Sequence, residues 1–204
     1  MKPVNPSSLR NQGPIFEILK RYLTAKGKLL EIGCGTGQHA VFMGEKLHHI
    51  EWQASDCEGA TDGANMWISE NGILPPAIEL DISLNNWQKA ILSPINYIYS
   101  ANVIHFVPDA TVKTFFNGVD EILLNDGTLI LYGPYNDDGF TSEGNAGLDA
   151  WLKADVHPLA GIKELSYITS LANEVGLRLV ANHVMPANNH LLVFKKASIS
   201  LNIN

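Results

Sequence analysis

An acidic residue followed by glycines at alternate positions, Glu31-Ile32-Gly33-Cys34-Gly35-Thr36-Gly37, is the first arrangement along the chain with chemical consequences. Glycines spaced in this way let a ligand come close to the backbone. A phosphate-cradling loop would need Gly-Lys-Ser/Thr at its end, and Gln38-His39 follow Gly37 here. A dinucleotide fingerprint would need Gly-x-Gly-x-x-Gly, which Gly33 and Gly35 begin and Gln38 breaks. Neither phosphate-binding pattern is complete here, and the carboxylate of Glu31 stands just before the turn. Two more carboxylates, Asp56 and Asp81, each follow an apolar run. Asp56 can accept hydrogen bonds from both hydroxyls of a ribose. Either aspartate could instead cap the element that follows it. Further on, Asn102 and His105 in "SANVIHF" offer an amide and a possible proton acceptor, although His105 could equally pack or cap a short helix.

These residues need a scaffold. Residues 1–12 are polar and broken by proline and read as a loop. From Pro14, the residues Ile15, Ile18, Leu19, Tyr22 and Leu23 recur at helical spacing, and Gly27 ends that helix. "KLLEIG" is a buried strand opening into the glycine turn, with helix-forming "QHAVFMGEKL" after it. "HIEWQAS" is a second strand ending at Asp56. A helix carrying Ala64, Trp67 and Ile68 closes at Asn71-Gly72. "PAIELD" and "INYIYSA" follow as strands. "VPDATVKTFFNGVDEILL" is a helix, and a turn at Asn125-Asp126-Gly127 leads into a fifth strand, "TLILYG". "GIKELSYITSLANEVG" is a further helix, and "LRLVANHVM" and "HLLVFKK" are the final strands. Alternating strands and helices predict an α/β fold with a mostly parallel sheet covered on both faces. The connection "PANN" is too short for a crossover, so the last strand should run antiparallel in a sheet of seven. We find no repeat or linker, and residues 1–204 are expected to form a single domain. The long segment 134–160, with Tyr135, Ser142, Asn145, Asp149 and Trp151, has the character of a binding loop or lid.

Composition excludes several roles. Charged residues are 17% of the chain and the net charge is −7, with no basic patch, which disfavours a nucleic-acid partner. The two cysteines have no metal spacing and fit reduced thiols, so a cytoplasmic setting is expected. No apolar run approaches the length of a membrane span. No metal site is expected.

The pattern Glu-x-Gly-x-Gly-x-Gly resembles the first motif of the Rossmann-like S-adenosylmethionine-dependent methyltransferases. Across residues 10–196, the phrases "RNQGPI", "LEIGCGTGQHA", "EWQASD", "LDIS", "ANVIHF", "LYGPY", "FTSEGNAGLDAWL" and "MPANNHLLVFKK" resemble, more narrowly, the methyltransferase-like proteins of domain-of-unknown-function family 938. The resemblance implies a Rossmann-like methyltransferase fold and S-adenosyl-L-methionine as cofactor, with S-adenosyl-L-homocysteine as its product. Glu31, Gly33, Cys34, Gly35 and Gly37 would line the methionine and ribose, with Asp56 on the ribose. Asp81 and the Ile82 amide would face the adenine, with Cys57 beside it or simply packed. Asn102 would sit near the cofactor ammonium. His105, Asn102 and Tyr135 would be the catalytic candidates. Arg10 and Asn11, in the 1–26 segment covering the cleft, would form an acceptor pocket with Tyr135, Ser142 and Asn145. Arg10 would hold a carboxylate of cofactor or acceptor, or else pair with Asp149. Gly144 and Gly147 depart from the larger residues expected in that loop. A small-molecule acceptor follows from the acidic chain. Two other readings remain: a cofactor-binding module without catalysis, and an NAD-type oxidoreductase, which Gln38 opposes.

Overall fold

Strands and helices alternate as the apolar periodicities require. In the computed structural model, which describes residues 2–198, β1 (Gly27–Ile32), β2 (Ile50–Asp56), β3 (Ile78–Glu79), β4 (Ile95–Ala101) and β5 (Leu123–Asn136) lie parallel in the order β3-β2-β1-β4-β5. A two-residue β6 (Lys163–Glu164), which the sequence did not announce, pairs with the end of β5. β7 (Leu177–Met185) and β8 (Asn189–Lys196) form a hairpin, with β8 antiparallel to both β5 and β7. The tip at Ala187 and Asn188 has φ of 59° and 56°. That left-handed backbone is what a tight hairpin requires. The sheet thus has eight strands, seven of them on one path.

The pleat sends alternate residues to opposite faces. Leu30, Ile32, Ile98, Leu129 and Leu131 join one cluster with Val112, Phe115, Phe116 and Val119 of α4 (Asp109–Ile122) and Ile168 and Leu171 of α6 (Leu165–Glu174). Leu29, Tyr97, Tyr99, Ile130 and Tyr132 join the other, with residues of α1 (Pro6–Tyr22), α2 (Gln38–Gly44) and α3 (Thr61–Asn71). Phe115 and Phe116 are almost fully buried, each contributing about 1.5–3 kcal/mol from area removed from water. No helix among the described residues is long and apolar enough to cross a membrane.

Two elements differ from the sequence expectation, and both shape the cleft. α1 starts at Pro6, not Pro14. Asn5 caps it, its side chain accepting from the Ser7 amide at 2.9 Å, and Pro6 occupies the first turn, where no donor is lost. Pro14 therefore sits inside the helix, and the Arg10 carbonyl one turn earlier has no intrahelical N–H to accept. The segment 134–160 is not an open loop. It contains α5 (Glu143–Trp151) and a wider turn closed by His157 N–H to Leu152 C=O at 3.0 Å. The inward face of α5 is polar, with Asn145 and Asp149 buried, while Trp151 is 47% exposed. Hydrophobic periodicity cannot register such a helix.

Gly144 and Gly147 in α5 are not sterically required, since a Cβ at Gly147 meets nothing within 4 Å and one at Gly144 meets only ordinary contacts. Gly147→Ala is expected to stabilise the protein by about 0.5–1 kcal/mol. Denaturant melts of the two proteins check this.

Candidate functional site

The carboxyl ends of β1, β2, β4 and β5 open into one cleft of about 1040 Å³. Parallel α/β sheets bind ligands at this edge, where strand order reverses; here β1 separates β2 on one side from β4 on the other. The loop after β3 brings Asp81 and Ile82 to the same wall.

The glycine turn has two distinct kinds of glycine. Gly33 has φ of +75°, and a Cβ there would lie 2.2 Å from Val103 Cγ2. Gly35 has φ of +55° with nothing within 4 Å of a built Cβ, although the residue lines the cleft. Its openness faces the ligand space. Asp56 Oδ2 accepts from the Gly35 amide at 2.6 Å, and Oδ1 accepts from the Cys57 amide at 2.8 Å. The carboxylate thus shapes the turn while facing the cleft. Asp81 Oδ1 accepts from the Ser83 amide at 2.8 Å, closing the turn after β3.

Glu31 is 2% exposed and accepts from Trp52 Nε1 at 2.8 Å. Burial raises its carboxyl to about 7; the Trp52 bond opposes this and the Asp56 charge adds to it. Burial, with the charges of Glu31 and Asp56, also holds the Cys34 thiol well above its ordinary range. Burial first, then Asp56 and Asp81, raises the Cys57 thiol. Both cysteines line the cleft as neutral thiols rather than reactive thiolates.

At the end of β4, Asn102 adopts φ of 59°, and its amide donates to Tyr132 C=O at 2.8 Å. Asparagine tolerates this backbone better than most residues. His105 is 5% exposed, lines the cleft, and makes no side-chain hydrogen bond among the described residues. The point where a Gly133 Cβ would stand lies 3.4 Å from His105 Nδ1 and 3.8 Å from Asn102 Oδ1. Glycine at 133 therefore leaves room for both side chains. Burial, aided by the Lys163 charge, lowers the imidazole to about 4, so His105 is neutral at physiological pH.

α1 crosses this opening through Ser7, Arg10, Asn11 and Pro14, residues on one helical face. Asn5 N–H donates to Gln38 Oε1 at 2.6 Å. Asn11 Oδ1 lies 2.7 Å from His39 Nε2, and His39 Nδ1 lies 3.3 Å from the Tyr99 hydroxyl. Since Asn11 Oδ1 only accepts, the His39 proton sits on Nε2 and Nδ1 accepts from Tyr99. Burial, lowering His39 to about 4, agrees with this neutral form. Burial raises the Tyr132 hydroxyl, and the Asn11 side chain opposes this. Arg10 Nη2 donates to Ser7 Oγ at 2.9 Å.

The cleft brings together Glu31, Gly33, Cys34, Gly35, Asp56, Cys57, Asp81, Ile82, Asn102, His105, Arg10, Asn11 and Asn145. Three expectations are corrected, and the alternative pairing of Arg10 with Asp149 is not found. Tyr135 is 3% exposed on the α4–α6 face of β5 and does not line the cleft, because the pleat turns it away. Tyr132, on the other face, does line it. Gly37 packs α2 on α3, its built Cβ only 2.8 Å from Ala64 Cα. The Ser142 hydroxyl caps α5, accepting from the Asn145 amide at 3.0 Å and from Asn188 Nδ2 at 3.1 Å. Arg10 does not pair with Asp149, which accepts from Lys153 Nζ at 2.6 Å and from the Ile162 amide at 2.9 Å. Phe106, Leu148, and Pro186 to Asn189 complete the walls, and sequence reasoning passed over them. Only the unusual "PANN" turn gave a signal for the last group.

This strand order, with helices on both faces and a glycine turn after β1, defines the Rossmann-like methyltransferase fold. Solved structures agree. The chain superposes on an O-methyltransferase family protein from Burkholderia thailandensis with a TM-score of 0.80 at 12% identity, covering 94% of this chain and 57% of that one. A putative O-methyltransferase from Nostoc punctiforme gives 0.79 at 15%, covering 93% and 56%. Human N-acetylserotonin methyltransferase, solved in complex with S-adenosylmethionine, gives 0.78 at 11%, covering 94% and 53%. The chain thus spans little more than half the length of these proteins. Residues 2–196 match the family described as protein of unknown function (DUF938), and the chain belongs to that family.

Proposed function

We propose that the protein transfers a methyl group from S-adenosyl-L-methionine to a small-molecule acceptor. The observation that carries this reading is the placement of Glu31, Asp56 and Asp81 around the open face of Gly35, at the ends of adjacent strands. These residues fit the cofactor chemically: carboxylates for an ammonium, a ribose diol and an adenine amine, with no phosphate to hold. Asp56 would take the ribose, Asp81 and the Ile82 amide the adenine, and Glu31 with Asn102 the amino group. Gly33, Cys34 and Gly35 would lie against the methionine portion. When bound, the cofactor would supply a methyl group activated by its sulfonium, the electrons of the broken carbon–sulfur bond staying on sulfur and the acceptor's lone pair forming the new bond to carbon. The chain's own task is mainly alignment and exclusion of water.

His105 is the nearest candidate for the proton of an O–H or N–H acceptor. As a neutral imidazole it places no second positive charge beside a sulfonium. A base near 4 is weak at neutral pH, and base catalysis works best when the pKa matches the working pH. His105→Ala is therefore expected to slow transfer by about tenfold, below the 10²–10⁴ of a well-tuned base. The wild-type pH profile should show no inflection from this group above about pH 5. Single-turnover rates from pH 5 to 9 check both.

Melting-temperature shifts test the binding reading. S-adenosylmethionine and S-adenosylhomocysteine should stabilise the protein, and NADH should not. Stabilisation by NADH alone would overturn the proposal. Transfer of labelled methyl into a metabolite extract tests turnover. Cofactor binding without any labelled product would favour a non-catalytic binding module.

A further inference from the structure

The charges lining the cleft are segregated. Its carboxylates, Glu31, Asp56 and Asp81, all stand at the ends of β1 and β2 and after β3. From β4 onward the wall carries His105, Phe106, Pro134, Asn145, Leu148 and the hairpin tip, with no Asp or Glu among the described residues. The one Lys or Arg side chain on the whole wall, again among the described residues, is Arg10. It is exposed and forms no ion pair among them, and its one side-chain partner is the neutral Ser7 hydroxyl. In a chain of net charge −7, an arginine without a carboxylate partner at the mouth of a cleft is available to a ligand. Its neighbour Asn11 is tied to His39. This fixes the helical face that carries Arg10 against the start of α2.

Resting on the methyl-transfer reading, we propose that the acceptor is an organic acid. Arg10 holds its carboxylate through the planar guanidinium fork. Its apolar body lies on Phe106 and Leu148, and its nucleophilic O–H or N–H turns toward His105. Among the described residues Arg10 is the only full positive charge on the wall.

The test uses the full chain with and without saturating S-adenosylhomocysteine. Melting temperatures are read against a panel of aromatic and aliphatic hydroxy- and amino-carboxylic acids, each beside its own carboxamide. In the wild type, some acids should raise the melting temperature by a few degrees while their amides do not. Arg10→Gln should lose that contrast while its S-adenosylhomocysteine affinity stays within about twofold of wild type, and Arg10→Lys should keep part of it. Equal shifts from acid and amide, or no shift from any acid, would overturn the proposal. So would an Arg10→Gln variant that binds S-adenosylhomocysteine about tenfold or more weakly yet keeps the acid–amide contrast, because Arg10 would then serve the cofactor's carboxylate. The contrast is read on ligand-free protein as well, so it stands or falls separately from cofactor binding.

Discussion

Gly35→Ala is expected to leave the fold nearly intact and abolish binding of S-adenosylhomocysteine, whereas Gly33→Ala, two residues earlier, is expected to damage the fold itself. Both glycines hold a positive φ, so alanine at either costs about 1–2 kcal/mol in the left-handed region. They differ in what the new methyl group meets. At Gly33 it would stand 2.2 Å from Val103 Cγ2. That overlap forces Val103 or the turn to move and adds about 1–3 kcal/mol. At Gly35 nothing lies within 4 Å, so the methyl projects into the cleft. The amide of Gly35 also donates to Asp56 at 2.6 Å, and a shifted turn would misplace that carboxylate as well. Denaturant melts should therefore rank wild type, Gly35→Ala and Gly33→Ala in falling order. Calorimetric titration should find no S-adenosylhomocysteine binding in Gly35→Ala at concentrations that saturate the wild type. Wild-type affinity in Gly35→Ala would move the ligand off the glycine turn.

Glu31→Gln should stabilise the ligand-free protein at pH 8 and weaken its binding of S-adenosylhomocysteine. Burial raises this carboxyl from 4.5 to about 7, a displacement worth about 3 kcal/mol. The sign follows from linkage. The folded state favours the protonated acid, so the group's contribution is fully present below about 4.5 and is lost as pH rises through about 7. Above that, the folded protein carries a buried charge to which, among the described residues, only Trp52 Nε1 donates. Glutamine keeps an acceptor for Trp52 and removes the charge. A ligand ammonium near Glu31 reverses the preference and favours the carboxylate. Wild-type affinity should then fall by up to about tenfold per pH unit below about 7, while Glu31→Gln binds weakly and without that slope. Titrations between pH 5.5 and 8.5 check this. An identical pH dependence in the two proteins would separate Glu31 from the ligand's amino group.

The half of the cleft lined by Glu31, Asp56 and Asp81 was legible in the sequence because local patterns encode it. A glycine turn after a buried strand and aspartates after the next strands sit where chain order alone places them, and Glu31, Asp56, Asp81 and Ile82 do share one cleft. The other half depends on packing. Tyr135 and Tyr132 are both aromatic residues near the end of β5, and only the phase of the pleat decides which faces the cleft. The start of α1 was hidden because Pro14 reads as a first-turn proline, whereas the Asn5 cap and Pro6 already open the helix. α5 was hidden because Asn145 and Asp149 fill its inward face in place of apolar residues. Gly37 belongs to the glycine motif by spacing, but in the fold it makes a helix-packing contact with Ala64.

The most direct test of the account is a crystal structure of the protein with S-adenosylhomocysteine. Both ribose hydroxyls are expected on Asp56, the adenine between Asp81 and the Ile82 amide, and the amino group toward Glu31 and Asn102, with the sulfur facing the space between His105 and α1. A ligand bound elsewhere, or lying in the cleft with its ribose away from Asp56, would contradict it.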